Sequence, residues 1–362
     1  MHSTELRAVI GLMRESLELG PTEEQLQALS DADPSAIVRI ASAHAVLPML
    51  SQASGNARVR EFIPTDLGFF LAEMHKANSA RNVSLREQLI EIGTALQGAG
   101  ICAVALKGAI ELLAPIYPHG TRYIGDLDLL VPEDDLAAAA DRLRSIGYEF
   151  HRPEDHAAEH HHLPVLWHPE RPAAVELHRR VGTGLPDRFL PASLILAEVR
   201  STGAAGLAIP SPRCRLLHLL SHSHVRGAIG EPGFLFLRDF TELAVLKPLL
   251  DADDWAFTRA RSESVGARIQ LDGFCEAARV LLYAEDEAVS DGAAGIWVEA
   301  ALSGLEAPRR MRAHYLWSWL RHYTRRFYAD RAARKHYLRR LSSFRSVAAA
   351  IRHHATSLRN IA

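Results

Sequence analysis

Apolar residues recur at intervals of three and four through the first 95 residues, and this period predicts amphipathic helices. The longest predicted helix covers residues 66–97, where Leu67 and Leu71 begin the apolar stripe. Shorter helices are predicted to start at Thr22 and to cover residues 36–50. The first quarter of the chain is therefore predicted to be helical.

A different pattern begins after residue 100. Residues 101–106 form a short, continuous apolar run, which is typical of a buried strand, and Lys107 with Gly108 interrupts it. The elements predicted next are a helix over 109–117, a strand within 122–131, a helix over 133–145, and strands over 148–151 and 173–181. Residues 153–172 are predicted to be irregular. The chain after residue 191 is predicted to be mostly helical, with Gly- and Pro-containing loops near 202–212 and 227–233.

The composition is that of an ordinary globular protein, with 48% hydrophobic and 23% charged residues among 362. Cys102, Cys214 and Cys275 are far apart and show no CxxC spacing, which predicts a reducing compartment. The sequence contains no apolar run long enough for a membrane span, and its first twenty residues lack the apolar core of a secretory signal. We therefore expect a cytoplasmic protein of two or three structural units.

Charge is distributed unevenly along the chain. Residues 307–362 contain 14 Lys and Arg and one acid, Asp330, whereas the whole chain has a net charge of −2. Leu316, Leu320 and Phe327 mark an apolar helix face within this basic tail. The tail can bind an anionic partner such as nucleic acid, an acidic peptide or a membrane surface. Packing against the protein's own acidic remainder is favoured, because that remainder offers the arginines an internal partner.

Two carboxylates, Asp126 and Asp128, stand two residues apart in a predicted strand. Because side chains alternate along a strand, both are predicted to lie on one face of the sheet. Neighbouring carboxylates in a partly buried position repel each other, and a divalent cation removes that repulsion. Magnesium binds a few carboxylates together with water and substrate phosphates. The pair therefore predicts a magnesium site.

Further candidates flank this pair. Lys107 and Gly108 lie between a predicted strand and a predicted helix, where a tight turn and free N–H groups can hold a phosphate. Glu176 and His178 share one face of the strand predicted over 173–181. If that strand pairs beside the strand that carries the aspartates, Glu176 supplies the third carboxylate of a two-metal site.

Structural roles remain open for several candidates. Glu176 is also suited to an ion pair with Arg122 or Arg179. Arg122 is as well suited to an ion pair with Asp126 as to a contact with a triphosphate. Lys107 is nearly as well suited to a solvent-exposed position at the end of a strand as to a phosphate contact, because lysine side chains are mostly exposed.

The motifs as a set resemble a bacterial family described as nucleotidyltransferase family proteins, a branch of the polymerase-beta-like superfamily. The resemblance rests on Leu106-Lys107-Gly108, Asp126-Leu127-Asp128, Gly147-Tyr148 and Glu176-Leu177-His178, and later on His218, His222 and Leu237-Arg238-Asp239. It implies an α+β fold, in which a small mixed β-sheet nucleotidyltransferase core is flanked by N-terminal and C-terminal helical regions. We expect an N-terminal helical region over 1–97, the core over 98–200, and a C-terminal helical region with the basic tail over 201–362.

The resemblance also implies a function. It implies a Mg²⁺-dependent enzyme that moves a nucleoside monophosphate from a nucleoside triphosphate (NTP) to the hydroxyl or phosphate of an unidentified acceptor. The implied catalytic and metal-binding residues, for two Mg²⁺ ions, are Asp126, Asp128 and Glu176, and the implied NTP-binding residues are Lys107, Gly108 and Arg122. Two alternatives remain: a nucleotide- or nucleotide-sugar-binding accessory protein of a biosynthetic cluster, and a toxin-like enzyme that modifies RNA.

Histidines are concentrated in one irregular stretch. No cysteine is near them, and their spacing fits no common zinc motif. We therefore predict a flexible surface loop that can cover the nucleotide. Outside this loop, His178 is predicted to support the site rather than to react. The loop histidines are His156, His160, His161, His162 and His168.

Overall fold

The computed structural model describes residues 3–151, 160–223, 235–283 and 305. The basic tail over 307–362, with its predicted apolar helix face, lies outside these residues. His156 and the loop predicted at 227–233 also lie outside them.

The N-terminal part of the chain is helical, as the apolar period predicts. Side chains of Ser3, Thr22 and Asp33 accept hydrogen bonds from backbone N–H groups at the starts of the first three helices, which caps them. The five helices are α1 (Thr4–Ser16), α2 (Glu23–Asp31), α3 (Pro34–Ala43), α4 (Ala57–Phe62) and α5 (Thr65–Gly98). The prediction for α5 is confirmed to within one residue at each end.

The helix predicted over residues 36–50 is divided in two. Helix α3 ends at Ala43, and a 3-10 helix covers Leu47–Gly55. Ala45 lies between them with a φ of 55°. An L-residue in this left-handed conformation cannot continue a right-handed helix, so the chain turns here. The apolar period carries no signal for this turn, because the apolar residues continue through it.

Seven strands of the described chain form one mixed sheet in the order β3-β4-β5-β2-β1-β7-β6. Strand β1 pairs antiparallel with β2 and parallel with β7, and β2 pairs parallel with β5. This arrangement confirms the predicted α+β fold with a small mixed sheet. The strands are β1 (Ala103–Ala105), β2 (Leu127–Leu130), β3 (Glu149–Phe150), β4 (Leu166–Trp167), β5 (Val175–His178), β6 (Val199–Ser201) and β7 (Leu207–Pro210).

Three of these strands were not expected from the sequence pattern. Strand β4 lies in the stretch predicted to be irregular, and its two residues are too few to show an alternating pattern. Strands β6 and β7 form a hairpin in a region predicted to be helical with loops. All three residues of β6 are exposed, so the strand has no buried face to mark it. The sheet consequently extends to Pro210.

Eight helices follow α5 in the described chain. The first four lie among the strands along the chain, and the last four form the C-terminal helical part. None of the helices in the described ranges is both long and apolar enough to cross a membrane. They are α6 (Gly108–Leu113), α7 (Leu136–Arg144), α8 (Leu185–Phe189), α9 (Ala192–Ala197), α10 (Pro212–Ser223), α11 (Leu237–Leu246), α12 (Ala252–Ser264) and α13 (Arg268–Leu282).

The two faces of the sheet belong to two apolar cores. Ala105 and Leu129 lie in one core with Leu89 of α5. Val104 and Leu130 lie in the other, which includes residues of α10 and α11 and of the N-terminal helices. Because side chains alternate along a strand, Asp128 lies on the face of Leu130, toward the C-terminal helices. The fold thus places the one polar side chain of β2, Asp128, on the sheet face toward the C-terminal helices.

His44 connects the N-terminal helices with the C-terminal part. Its side chain is 3% exposed, its Nδ1 accepts from the Leu237 backbone N–H at 3.4 Å, and its Nε2 donates to the Leu305 carbonyl at 3.3 Å. Both contacts require the neutral ring, because a protonated Nδ1 cannot accept. Burial lowers the pKa of His44 from 6.5 to about 4, and the hydrogen bond to Leu305 opposes this shift only in part.

This histidine predicts a loss of stability in acid. The folded state binds a proton at His44 more weakly than the unfolded chain, so stability is complete above pH 6.5 and falls as the pH is lowered toward 4. We expect His44 to lower the free energy of unfolding by on the order of 2 kcal/mol between pH 6.5 and pH 4. Urea unfolding of the wild type and of His44→Gln at several pH values measures it. The glutamine variant is expected to show the shallower dependence, and equal slopes would contradict the assignment.

Candidate active site

The parallel pairing of β2 with β5 brings two of the predicted carboxylates together. The register places Asp128 directly beside Glu176, and Leu130 beside His178. Residues opposite each other on paired strands lie on the same face, so Asp128, Glu176 and His178 project together. The sequence predicts Glu176 as the third carboxylate only if its strand pairs beside the strand of Asp128. The structure shows this pairing of β5 with β2.

Asp128 is almost fully enclosed, with 1% of its side chain exposed. Its Oδ1 accepts hydrogen bonds from Lys107 Nζ at 2.5 Å and from His178 Nε2 at 2.8 Å. His178 Nε2 also lies 3.2 Å from Glu176 Oε2, so the imidazole bridges the two carboxylates. Burial alone would raise the pKa of Asp128, but the charge of Lys107 and the contacts with His178 lower it. Asp128 is therefore ionised in the folded protein.

His178 and Glu176 have complementary pKa shifts. Burial opposes protonation of His178, yet its hydrogen bonds to Asp128 and Glu176 raise its pKa above the ordinary value. Burial would raise the pKa of Glu176, but the hydrogen bond with His178 lowers it. The His178 Nε2 lies 2.8 Å from Asp128 and 3.2 Å from Glu176, so the imidazole orients both carboxylates.

Asp126 occupies a different environment from its neighbour. It lies in the bend just before β2, because the strand predicted within 122–131 begins only at Leu127. Burial raises the pKa of Asp126 to about 6, and repulsion by Asp128 and Glu176 adds to the increase, while Lys107 opposes it. Three mutually repelling carboxylates at one place are chemically suited to a divalent cation.

The side chains at this position are close enough together to hold a metal ion. Asp128, Glu176 and His178 offer ligand atoms that all lie within 4.8 Å of one another, and Asp126 is not among them. Carboxylate oxygens are the protein ligands that Mg²⁺ prefers, and Asp126 lies close enough to interact with the other two by charge. The residues present therefore fit a divalent cation.

Lys107 has an unusual backbone conformation. Its φ is 48° and its ψ is −124°, a region that favours glycine, and helix α6 begins at the next residue. Gly108 has a separate constraint, because a Cβ there would lie 3.1 Å from Ile124 Cγ2. The positive φ is thus at the lysine, and the glycine permits close packing. The strained backbone aims Lys107 Nζ at Asp128 Oδ1.

This strain can be measured with a pair of variants. Lys107→Ala and Lys107→Gly both remove the ammonium group, but only glycine relaxes the backbone. We expect the glycine variant to be more stable than the alanine variant by about 1 kcal/mol in chemical unfolding. Ala99→Gly is the control, because Ala99 has a φ of −96° and glycine there can only add freedom to the unfolded chain. Equal stability of the two Lys107 variants would show that the positive φ carries no strain.

Arg122 pairs with an acid that the sequence analysis did not select. Its NH1 lies 2.9 Å from Glu242 Oε2 in α11, and both side chains are largely buried. It also contacts the Tyr117 hydroxyl at 3.4 Å. The alternatives considered from the sequence were ion pairs with Asp126 or Glu176, and the structure shows Glu242 instead. No local sequence pattern predicts this pair, because its members are 120 residues apart.

A cavity of about 270 Å³ lies between the carboxylates and the C-terminal helices. The β1–α6 turn and the segment before β2 form one wall, with Lys107, Gly108 and Asp126. Helices α10 and α11 form the other. The polar residues of these helices that line it include Arg215, His218, His222, Arg238 and Glu242. Arg215 and Glu242 were not selected from the sequence, although Arg215 lies three residues before His218 on one helix face.

Several buried nitrogen atoms of the cavity walls have no hydrogen-bond partner in the described structure. They are Arg122 Nε, Arg215 Nε, His218 Nε2 and Arg238 Nε. Each of the three arginines is paired through a terminal nitrogen, with Glu242, Glu111 and Asp239 respectively. An arginine Nε–H is only a donor, so these walls are suited to a ligand rich in acceptor oxygens. Phosphate groups meet this requirement.

Comparison with known protein families decides the assignment. The family model described as uncharacterised nucleotidyltransferase matches residues 30–282 of the chain. The chain belongs to this family. No curated protein and no solved structure matches it. The resemblance on which the sequence prediction rests is thereby confirmed, and the protein is a nucleotidyl-transferring enzyme.

The matched range includes every part of the candidate site. It contains the β1–α6 turn, the β2–β5 pair, and the polar residues of α10 and α11 that line the cavity. It ends at residue 282, before the basic tail. The family therefore spans both the sheet and the C-terminal helices that face it.

Proposed function

We propose that this nucleotidyltransferase transfers a nucleoside monophosphate from an NTP to a hydroxyl or phosphate oxygen of an acceptor, in a Mg²⁺-dependent reaction. The observation that carries the proposal is the β2–β5 register, which sets Asp128 beside Glu176. Asp126 approaches the same position from the bend before β2. Nucleotidyl transfer depends chiefly on positioning and charge neutralisation, and this site provides both.

The proposed reaction forms one bond and breaks another. The acceptor oxygen bonds to the α-phosphorus, the bond from that phosphorus to the bridging oxygen of pyrophosphate breaks, and the acceptor loses a proton. Asp126, Asp128 and Glu176 would hold two Mg²⁺ ions. When bound, Mg²⁺ neutralises phosphate charge and polarises the acceptor oxygen.

Residues of the chain would orient the substrates. Lys107 Nζ lies at the boundary between the carboxylates and the cavity, so it can contact the phosphates. The Gly108 backbone and Arg122 line the same cavity and would complete the contacts with the triphosphate. Glu176 is 20% exposed, against 1% for Asp128, so it is the carboxylate of the pair that we assign to the acceptor hydroxyl.

A nucleotide-binding protein without transfer activity is the second candidate. The cavity walls favour a phosphate-rich ligand in either case. The carboxylates distinguish the two functions, because binding alone does not require three mutually repelling acids. We also propose a cytoplasmic location, because Cys102, Cys214 and Cys275 are far apart in the sequence and show no CxxC spacing.

The first test is a calorimetric titration of the purified protein with non-hydrolysable ATP, GTP, CTP and UTP analogues. Each titration is performed in Mg²⁺ and again in EDTA. We expect one analogue to bind, and to bind only with Mg²⁺. A pyrophosphate-release assay with the matching natural NTP follows. Binding without pyrophosphate release across a panel of acceptors would favour the second candidate. Absence of binding by every analogue, in a protein with a cooperative unfolding transition, would contradict the proposal.

A further inference from the structure

Three consecutive histidines converge beside the carboxylates. Ligand atoms of His160, His161 and His162 all lie within 4.8 Å of one another. The ring centroids of His160 and His161 are 4.2 Å apart, those of His160 and His162 are 4.2 Å apart, and those of His161 and His162 are 4.8 Å apart. Adjacent side chains of an extended segment normally point in opposite directions, so this convergence is a specific feature of the local fold.

The backbone of this segment is fixed against β5. The His161 carbonyl accepts from the backbone N–H groups of Arg179 and Arg180 at 3.0 and 3.2 Å. The His160 carbonyl accepts from the Arg179 guanidinium at 2.8 and 3.0 Å. His162 forms a bridge with His178 of β5. The prediction of a flexible loop therefore does not describe residues 160–162, because contacts with β5 and with the two residues after it hold their backbone.

The ring of His162 is oriented as in metal-ligating histidines. Its Nδ1 donates to the Leu163 carbonyl oxygen at 2.5 Å, so Nε2 is the ring nitrogen that faces Glu176. Histidines that bind metals commonly donate their other ring N–H to a backbone carbonyl, which fixes the tautomer and the ring orientation. His162 Nε2 also lies 3.8 Å from Glu176 Oε2.

The nearby arginines do not prevent cation binding. Arg179 and Arg180 lie 3.5 and 3.9 Å from Glu133 Oε1, so an acid offsets part of their charge. Zinc–nitrogen bonds of about 2.0–2.1 Å place tetrahedral ligand nitrogens roughly 3.4 Å apart. Side-chain rotations that move the ring nitrogens by about an ångström bring them from the observed arrangement to this spacing.

We propose that His160, His161 and His162 form a binding site for a transition-metal ion such as Zn²⁺, separate from the carboxylate site proposed for Mg²⁺. Imidazole nitrogens select borderline metals such as Zn²⁺, Co²⁺ and Ni²⁺, whereas Mg²⁺ prefers oxygen ligands. The two sites adjoin through Glu176 and His178, but their ligand chemistry differs. This proposal does not depend on the proposed transfer reaction.

The test is a titration of tag-free, EDTA-treated and dialysed full-length protein with Co²⁺, followed by its visible d–d absorption. We expect one Co²⁺ per chain, a band that is displaced by Zn²⁺ but not by Mg²⁺, and an increase in thermal unfolding temperature in Zn²⁺. His160→Gln and His161→Gln are each expected to weaken Co²⁺ binding by at least about tenfold. Glutamine is chosen because it keeps a polar side chain at each position.

Two further variants locate the ion. His151→Gln, at an exposed histidine outside the cluster, is expected to bind Co²⁺ as the wild type does. Asp128→Asn is also expected to retain the Co²⁺ band, even if it loses Mg²⁺-dependent nucleotide binding. Loss of the band in Asp128→Asn together with its retention in the His160 and His161 variants would overturn the proposal. Absence of the band in the wild type would also overturn it.

Discussion

Replacement of Asp128 by asparagine is expected to abolish Mg²⁺-dependent nucleotide binding. The substitution keeps the size of the side chain but removes the negative charge that Lys107 and His178 contact. Loss of a metal-ligating carboxylate should weaken binding of the selected NTP analogue in Mg²⁺ by at least about 100-fold. In EDTA the wild type and the variant should behave alike. Calorimetry in the two buffers measures this difference.

Two controls accompany this variant. Asp134→Asn makes the same chemical change at an exposed acid six residues further along the chain, and it should leave binding unchanged. Thermal unfolding of Asp128→Asn shows whether the site remains folded, since the variant also loses its ion pair with Lys107. Wild-type affinity in a folded Asp128→Asn protein would exclude Asp128 from the metal site.

Replacement of Arg122 by methionine is expected to destabilise the fold strongly. Arg122 and Glu242 are 9% and 13% exposed, and their contact joins the segment before β2 to α11. Removal of the guanidinium leaves the Glu242 carboxylate buried without its principal partner. Breaking a buried pair in this way costs about 3–5 kcal/mol. Urea unfolding monitored by circular dichroism measures the loss, and a cost below 1 kcal/mol would contradict the structural role of the pair.

A double variant separates stability from binding at this position. Arg122→Met combined with Glu242→Leu replaces the ion pair by apolar side chains and should recover most of the lost stability. If Arg122 also contacts the triphosphate, the double variant folds but binds the NTP analogue more weakly than the wild type. Arg268→Met is the matched control, because its carboxylate partners lie at the surface, and it should cost less than about 1 kcal/mol.

The sequence predicted the central part of the fold because its signals there are local. The helix of residues 65–98 shows a long apolar period. The strand at 103–105 lies within the apolar run 101–106, and the strand at 127–130 has leucine at three of its four positions. Strands β4, β6 and β7 carry no such local signal. Their identity depends on pairing with distant parts of the chain, such as that of Leu207 with Ala103.

The residues of the candidate site also fall into two groups, those that a local sequence pattern predicts and those that it does not. The pair Asp126 and Asp128 and the turn at Lys107 are evident from spacing, and the register of β2 with β5 adds Glu176. The pairing of Arg122 with Glu242 and the presence of Arg215 in the cavity wall arise only from the packing of α10 and α11 on the sheet. Contacts between residues more than 100 positions apart leave no periodic trace in one sequence.

The ion pair between Lys107 and Asp128 has a consequence for the order in which ligands bind. The ammonium group lies 2.5 Å from the carboxylate oxygen, close to where the proposed Mg²⁺ would bind. A metal ion that approaches this oxygen competes with an internal cation, so its affinity for the protein alone is reduced. A triphosphate gives Lys107 a new anionic partner and frees the carboxylate. Metal and nucleotide should therefore bind with positive heterotropic cooperativity, each increasing the affinity for the other by the same factor.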